Sequence, residues 1–371
     1  MKLLYVTSLS GKRINGFMRS ALIAAREEGL EVTMACNMEG ADIEGYNEDC
    51  KKYEIEVSNI CFSRNPLSAR NIKARNEMLK LLKEGQFDII HCNTPVGGLI
   101  GRICARKMHI ERIIYMAHGF HFWQGAPIKN WILYYPIEKW LSGITSTLIT
   151  ITKEDFEMAK KMNAKKVEYV HGVGVDIASF NKPLSIEERM SLRKKFGIEE
   201  KDKVLLSVGE LNENKNHLPV INAVIEMNDP SIKYIICGDG PLRNKYKEII
   251  HDNKMENNIF LPGFCDNINE YYKVADCFVF PSLREGIPAS IMEAMASYVP
   301  VIASDIRGIR DLITDKRCLF NPNSQESIRQ SIEFCLYNNM EQIIEINREN
   351  LKPYELSNVV TELRKIYKSI Q

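Results

Sequence analysis

Short apolar runs alternate with longer stretches of helical periodicity from the first residues onward. Residues 3–7 are almost wholly apolar, 8–15 form a polar loop with glycine, and apolar positions recur at helical spacing from Gly16 to about Glu28, where Gly29 ends the stretch. A β-prone run follows over 31–36. Such runs, bounded by turn residues, read as buried strands, and the periodic stretch reads as a helix packed on them. The pattern then predicts a helix over 68–83, a strand over 88–92, a helix over 97–108 and a strand over 112–117. A strand over 148–152, a helix over 153–162 and a strand over 167–170 complete the first series. Around 176–200 the chain turns polar and loses sheet character, which marks a junction. A second series starts afresh, with strands over 204–208, 234–237, 259–261, 277–280 and 301–303. Helices begin at His217, span 268–274 and begin again near Pro288, and Pro353 precedes a last amphipathic helix over 356–370. Strand and helix alternating in this way predict two α/β domains with parallel, doubly wound sheets, whose ligands gather at the C-terminal ends of the strands.

Composition narrows the classes. A length of 371 residues suits about two domains, and 45% apolar content lets each bury a core. The net charge of +1 gives no global nucleic-acid signal, and no nucleic-acid module is recognisable. The ten cysteines contain no CxxC pair, as expected for free thiols in a reducing compartment. The opening residues are too short an apolar run for a signal peptide, and no run reaches the length of a membrane span, so a soluble or peripheral protein is expected. Charge is uneven, however. Between Ile60 and Trp140 twelve Lys/Arg face five Asp/Glu, and all three Trp fall between Phe120 and Leu141. That tract reads either as solvated helix faces with core aromatics or as a surface for anionic lipid head groups.

The chemistry concentrates in 278–296, a buried strand, a turn opened by Pro281 and Ser282, and a helix. Glu285 precedes Gly286, and seven residues separate it from Glu293. Free amides at a helix start bind anions, while carboxylates pair with sugar hydroxyls, so the combination points to a nucleotide-sugar site. Either glutamate alone could be a solvated residue near a helix N-terminus. Lys215, in a polar loop before a helix, is unfavourable there unless an anion binds, although a surface lysine is the plain alternative. Gly263 and Phe264 form a turn able to offer backbone groups and a ring edge to a base, with a core position expected for the Phe264 side chain. His118, beside Gly119 at a sheet edge, can serve a ligand hydroxyl or phosphate; His121 is a weaker candidate. His91 and Cys92 lack a second ligand pair at metal spacing, and there is no DxD, so no metal is expected. The first loop lacks GxGxxG, which disfavours a nicotinamide oxidoreductase.

With these residues in place, the chain resembles retaining glycosyltransferases of the GT-B fold, within the sequence-based family four. SLREGIPASIMEAMA is similar to that family's E-x7-E signature. The resemblance implies that Glu293 binds the ribose hydroxyls, that Glu285 faces the donor sugar, and that the amides of Gly286, Ile287 and Pro288 lie by the sugar and diphosphate. It implies further that Lys215 holds the diphosphate, that Gly263 and Phe264 form the base-binding turn, that Gly16 faces the donor phosphates and that His118 lies near the reacting sugar. One departure stands out. Glu210 occupies the place of an arginine common in the family, and Arg284 is the available replacement.

The fold implied is two Rossmann-like domains facing a cleft: an acceptor domain over 1–180 with a crossover helix over 355–371, and a nucleotide-sugar donor domain over 181–354. The resemblance is closest to bacterial enzymes of capsule, exopolysaccharide or O-antigen synthesis. It implies a UDP-sugar as co-substrate with no further cofactor, and a polyprenyl-diphosphate-linked saccharide as acceptor. It also implies a cytoplasmic enzyme, peripheral at the inner face of the membrane. The alternatives are a nucleotide-sugar epimerase of the same fold and a non-catalytic membrane-associated scaffold.

Overall fold

A computed structural model describes residues 1–8, 11–14, 16–182 and 184–371; of the loop expected over 8–15, Leu9, Ser10 and Asn15 lie outside the described residues. The chain divides into two compact units, Met1–Gly174 with Leu356–Gln371, and Val175–Glu355.

In the first unit seven parallel strands, β1 (Lys2–Val6), β2 (Glu31–Cys36), β3 (Glu56–Asn59), β4 (Ile89–Asn93), β5 (Arg112–Ala117), β6 (Thr147–Thr150) and β7 (Lys166–Tyr169), lie in the order β3-β2-β1-β4-β5-β6-β7. The central strand β4 is buried at every position, as expected for a sheet covered on both faces. Order reverses between β1 and β4, where Ser8 N–H and Oγ–H both reach Thr94 Oγ1, at 3.0 and 2.8 Å. The last helix, Leu356–Ile370, returns to this unit. It buries Val359, Val360, Leu363, Ile366 and Tyr367 as one stripe, and Arg364 pairs with Glu27 and Glu28, at the C-terminal end of the helix Gly16–Glu27, at 3.1 and 2.7 Å.

In the second unit six parallel strands, β8 (Lys203–Val208), β9 (Ile232–Cys237), β10 (Ile259–Gly263), β11 (Cys277–Phe280), β12 (Val301–Ser304) and β13 (Leu319–Phe320), lie in the order β10-β9-β8-β11-β12-β13. Both units are thus doubly wound. Backbones crowd at the C-terminal edge of this sheet. Gly238 sits at φ +151° with its N–H on Gly263 O at 2.8 Å, and a Cβ there would run into the carbonyl of Gly209. Gly238→Ala is therefore expected to cost about 2 kcal/mol or more in chemical denaturation, because both strain and collision act on backbone atoms that cannot step aside. A denaturation midpoint unchanged from wild type would show the edge to be looser than this packing.

Several helices escape the sequence pattern: Ile43–Tyr53, Ile128–Ser142, Arg243–Asp252, Gln325–Tyr337 and Glu341–Leu351. Ile43–Tyr53 buries only Gly45, Tyr46 and Asp49 and depends on its cap, with Asp42 accepting from Gly45 N–H at 3.1 Å.

Candidate functional site

The chain leaves β8 toward β9 on one side, while β11 lies on the other, so their C-terminal ends frame a topological switch point. Lys215 follows β8 and Glu285 follows β11. The two loops are stitched together: Leu283 N–H donates to Asn214 O at 2.8 Å, and Asn214 Nδ2 donates to Arg284 O at 3.0 Å. Asn216, at φ +54°, donates through Nδ2 to Pro281 O at 3.2 Å and Pro322 O at 3.0 Å. Lys215 N–H is held by Asn212 Oδ1 at 2.9 Å. Its stem passes the bare face of Gly209, where a Cβ would lie 3.4 Å away. The ammonium ends 2.8 Å from Glu285 Oε1 and 4.9 Å over the Phe280 ring, with the two side chains 23% and 16% exposed. A largely enclosed ammonium with a single carboxylate partner keeps donors to spare for an anion. Lys215 is thus no solvated surface lysine, and its counter-ion is the very carboxylate the signature singles out.

Glu293 lies in the helix Ala289–Ala296, whose other face buries Ile291, Met292, Met295 and Ala296. The Tyr272 hydroxyl reaches Glu293 Oε2 at 2.9 Å and leaves Oε1 without a partner among the described residues. Burial raises the Glu293 carboxyl above the ordinary glutamate value, and the Tyr272 hydrogen bond opposes this in part. A half-buried carboxylate with one oxygen steadied and the other available suits a vicinal diol.

Other expectations change in detail. Pro288 caps the helix but has no N–H, so it cannot donate to a phosphate; the helix's own donors begin at Ala289. Phe264 is 72% exposed rather than in the core. Gly263 adopts φ +89°, and its missing Cβ makes room for the Arg243 guanidinium, which would lie 3.2 Å from one and donates to Leu261 O at 2.7 Å. Glu210 and Arg284 are both exposed. The buried cation of this region is Arg307, 5% exposed, whose Nε donates to Glu285 O at 3.4 Å. Tyr272, Arg243 and Arg307 have no motif to announce them.

The first unit holds the remaining candidates. β5 delivers His118, whose Nε2 lies 3.0 Å from Asn93 Oδ1 at the end of β4, with Phe17 packed on the ring at 3.8 Å between centroids. An N–H on Nε2 satisfies Asn93, leaving a buried Nδ1 that has no hydrogen-bond partner among the described residues and can accept from a hydroxyl. Burial, with nearby His91, pushes the His118 imidazole down to about 3, so it is neutral at pH 7. Gly16 opens the helix Gly16–Glu27, and apart from its chain neighbours and its own helix backbone no described residue lies within 4 Å of where its Cβ would be. His91 has a structural explanation, since its Nδ1 meets the buried Tyr367 hydroxyl at 2.6 Å.

Two doubly wound units, the first completed by a returning C-terminal helix, are the architecture of GT-B glycosyltransferases. Comparison with known proteins agrees. Residues 2–153 match the family model "Glycosyl transferase 4-like" and residues 188–354 match "Glycosyl transferases group 1". EpsD of Bacillus subtilis (strain 168), named as a glycosyltransferase, is 38% identical over 269 residues, covering 71% of this chain and 70% of EpsD. The UDP-Gal:alpha-D-GlcNAc-diphosphoundecaprenol alpha-1,3-galactosyltransferase of Escherichia coli is 29% identical over 298 residues, 78% of this chain and 75% of that protein. Among solved structures, Anabaena HepE in complex with UDP aligns over the whole of both chains with a TM-score of 0.79 at 18% identity. The chain belongs to the group 1 glycosyltransferases and has the GT-B fold. It is a transferase, not an oxidoreductase or a scaffold.

Proposed function

We propose that this glycosyltransferase moves a sugar, with retention of configuration, from a UDP-sugar to a saccharide carried on polyprenyl diphosphate during synthesis of a bacterial capsule, exopolysaccharide or O-antigen. The observation that carries the donor assignment is the Lys215–Glu285 pair at the second switch point. In this reading residues 181–354 bind the donor, while residues 1–180 with 355–371 bind the acceptor. Glu293 takes the ribose diol, Gly263 and Phe264 take the base, and Glu285 faces the sugar. Lys215, with Gly286 and Ile287 N–H groups, stabilises charge on the departing diphosphate. The acceptor hydroxyl attacks from the face the diphosphate leaves, and His118 accepts a hydrogen bond from a sugar hydroxyl. The E. coli relative, named for UDP-Gal and a diphosphoundecaprenol-linked GlcNAc, supports both the donor class and the lipid-linked acceptor. Such an acceptor puts the enzyme at the inner face of the cytoplasmic membrane, and no described helix is long and apolar enough to cross one.

A thermal-shift screen against UDP, GDP, ADP and TDP tests the donor. UDP at a hundredfold excess over its Kd should raise Tm by about 5–10 °C, and the other nucleotides by less. Transfer assays with the matching sugars then follow. A UDP-sugar incubated alone should remain unconverted; its epimerisation would replace transfer with epimerase activity.

A further inference from the structure

The helix Ile128–Ser142 is apolar on both faces. Inward, Trp131, Tyr134 and Tyr135 pack on the core, Trp131 and Tyr135 against Phe122. Glu138 accepts from the fully buried Arg102 at 2.6 Å, and the Arg102 guanidinium stacks 3.8 Å over Tyr115. These contacts fix the helix's rotation, so its opposite face is held outward. That face carries Ile128, Ile132, Leu133, Ile137 and Trp140, exposed by 78, 72, 56, 45 and 60%. Their spacing places them along one side of the helix. Pro136 is exposed on the same side and deprives the Ile132 carbonyl of its helical N–H donor, leaving a polar group that needs water or a head group. Exposed Lys129 adds a cation at the N-terminal end of this side, and soluble monomers seldom leave so large an aliphatic stripe in water.

Charge at the helix's end identifies the occupant. Asn163 N–H donates to Ser142 Oγ at 2.9 Å, which fixes the segment after Ala159 against the C-terminal end of this helix. That segment exposes Lys160, Lys161, Lys165 and Lys166. Lys160 and Lys166 are paired with Glu157 and Glu168, whereas Lys161 and Lys165 have no ion pair among the described residues. An apolar stripe bordered by unneutralised ammonium groups complements anionic head groups over acyl chains, and a tryptophan on the stripe suits the boundary between them.

We infer that the outer face of Ile128–Ser142, with Lys161 and Lys165 beside it, is the surface by which this enzyme seats on an anionic phospholipid bilayer. The inference deepens, and rests on, the reading of a lipid-linked acceptor. It combines the two sequence readings of this tract, because most of the aromatic rings turn into the core while the aliphatic side chains face outward.

Flotation of the full chain with bare vesicles of phosphatidylglycerol and phosphatidylethanolamine, or of phosphatidylcholine alone, tests it. The wild type should float with the anionic vesicles and release in high salt. I132E/I137E should weaken binding at least about tenfold, and K161E/K165E about fivefold per lysine. Trp140 supplies a readout that needs no folded double variant: wild-type fluorescence should shift to the blue on anionic vesicles, and the W140F shift should be smaller. Calorimetry with UDP on the same preparations separates the two readings, since lost vesicle binding with intact UDP binding leaves the donor site standing. Unchanged flotation of I132E/I137E would overturn the inference. So would failure of the wild type to float, or a wild-type dimer in light scattering that I132E/I137E turns into a monomer, which would make a second copy the occupant.

Discussion

Lys215→Ala is expected to lower transfer by about 10²–10³-fold while the protein stays folded, the loss typical of removing one preorganised group that stabilises developing negative charge. The ammonium lies at the switch point where β8 and β11 end, 2.8 Å from Glu285, and is held there by Asn212 and the bare face of Gly209. Because it is already in place, binding a diphosphate requires little reorganisation. Glu285 now offsets its charge, so an incoming phosphate must share the ammonium with a carboxylate. This sharing makes the pair informative in both directions. Without Lys215, UDP should bind more weakly and the nearly enclosed Glu285 carboxylate is left unpaired, lowering Tm by a few degrees. Without the Glu285 charge, UDP should bind at least as tightly, because the ammonium is released to the phosphates, even as transfer falls. Calorimetry and initial rates on purified Lys215→Ala and Glu285→Gln distinguish these effects; Lys215→Ala turnover near that of wild type would remove Lys215 from the donor site.

Much of the fold could be read because the strands are short apolar runs flanked by turn residues; β11 and β12 are wholly buried and unmistakable. The missed helices are of the opposite kind. RNKYKEIIHD over Arg243–Asp252 buries only Tyr246 and Ile250, so its apolar periodicity is too sparse to detect and long-range packing decides its conformation. The edge strand β3 is only half-buried and offers no apolar alternation. The site divides along the same line. Glu285 and Glu293 lie close together in one motif, and Lys215 stands before a helix start. By contrast, the Lys215–Glu285 pair joins residues seventy positions apart, and Tyr272 reaches Glu293 from a different helix. Arg307 is a single arginine in a turn, and only its burial against the Glu285 carbonyl makes it a candidate for the charge absent at Glu210. Phe264 shows the converse error: an aromatic in a β–α turn suggests core, yet the turn at Gly263 directs it into solvent.

On the proposed reading of the site, Glu293→Gln should weaken UDP binding roughly tenfold to hundredfold, because a neutral amide would replace a charged acceptor for the ribose hydroxyls. The same change should not destabilise the protein at pH 7. Burial raises the Glu293 carboxyl above its value in the unfolded chain, so between those two values the folded state holds a proton that the unfolded state has released. Stability is therefore greatest below the ordinary glutamate range and declines as pH rises through the raised folded value, above which the buried charge costs its full amount. Glutamine has no such cost, and its carbonyl can still accept from the Tyr272 hydroxyl. Its melting temperature should equal or exceed that of the wild type at pH 7, and the difference should close as pH falls below about 4. Melting curves of both proteins from pH 4 to 8, beside UDP titrations, give the two readouts. A variant that binds UDP like the wild type would exclude Glu293 from the ribose site. One that melts lower by a pH-independent margin would instead make this carboxylate a structural anchor. Weaker binding together with a pH-dependent gain in stability is what a ligand carboxylate, held half-buried at an energetic cost to the fold, requires.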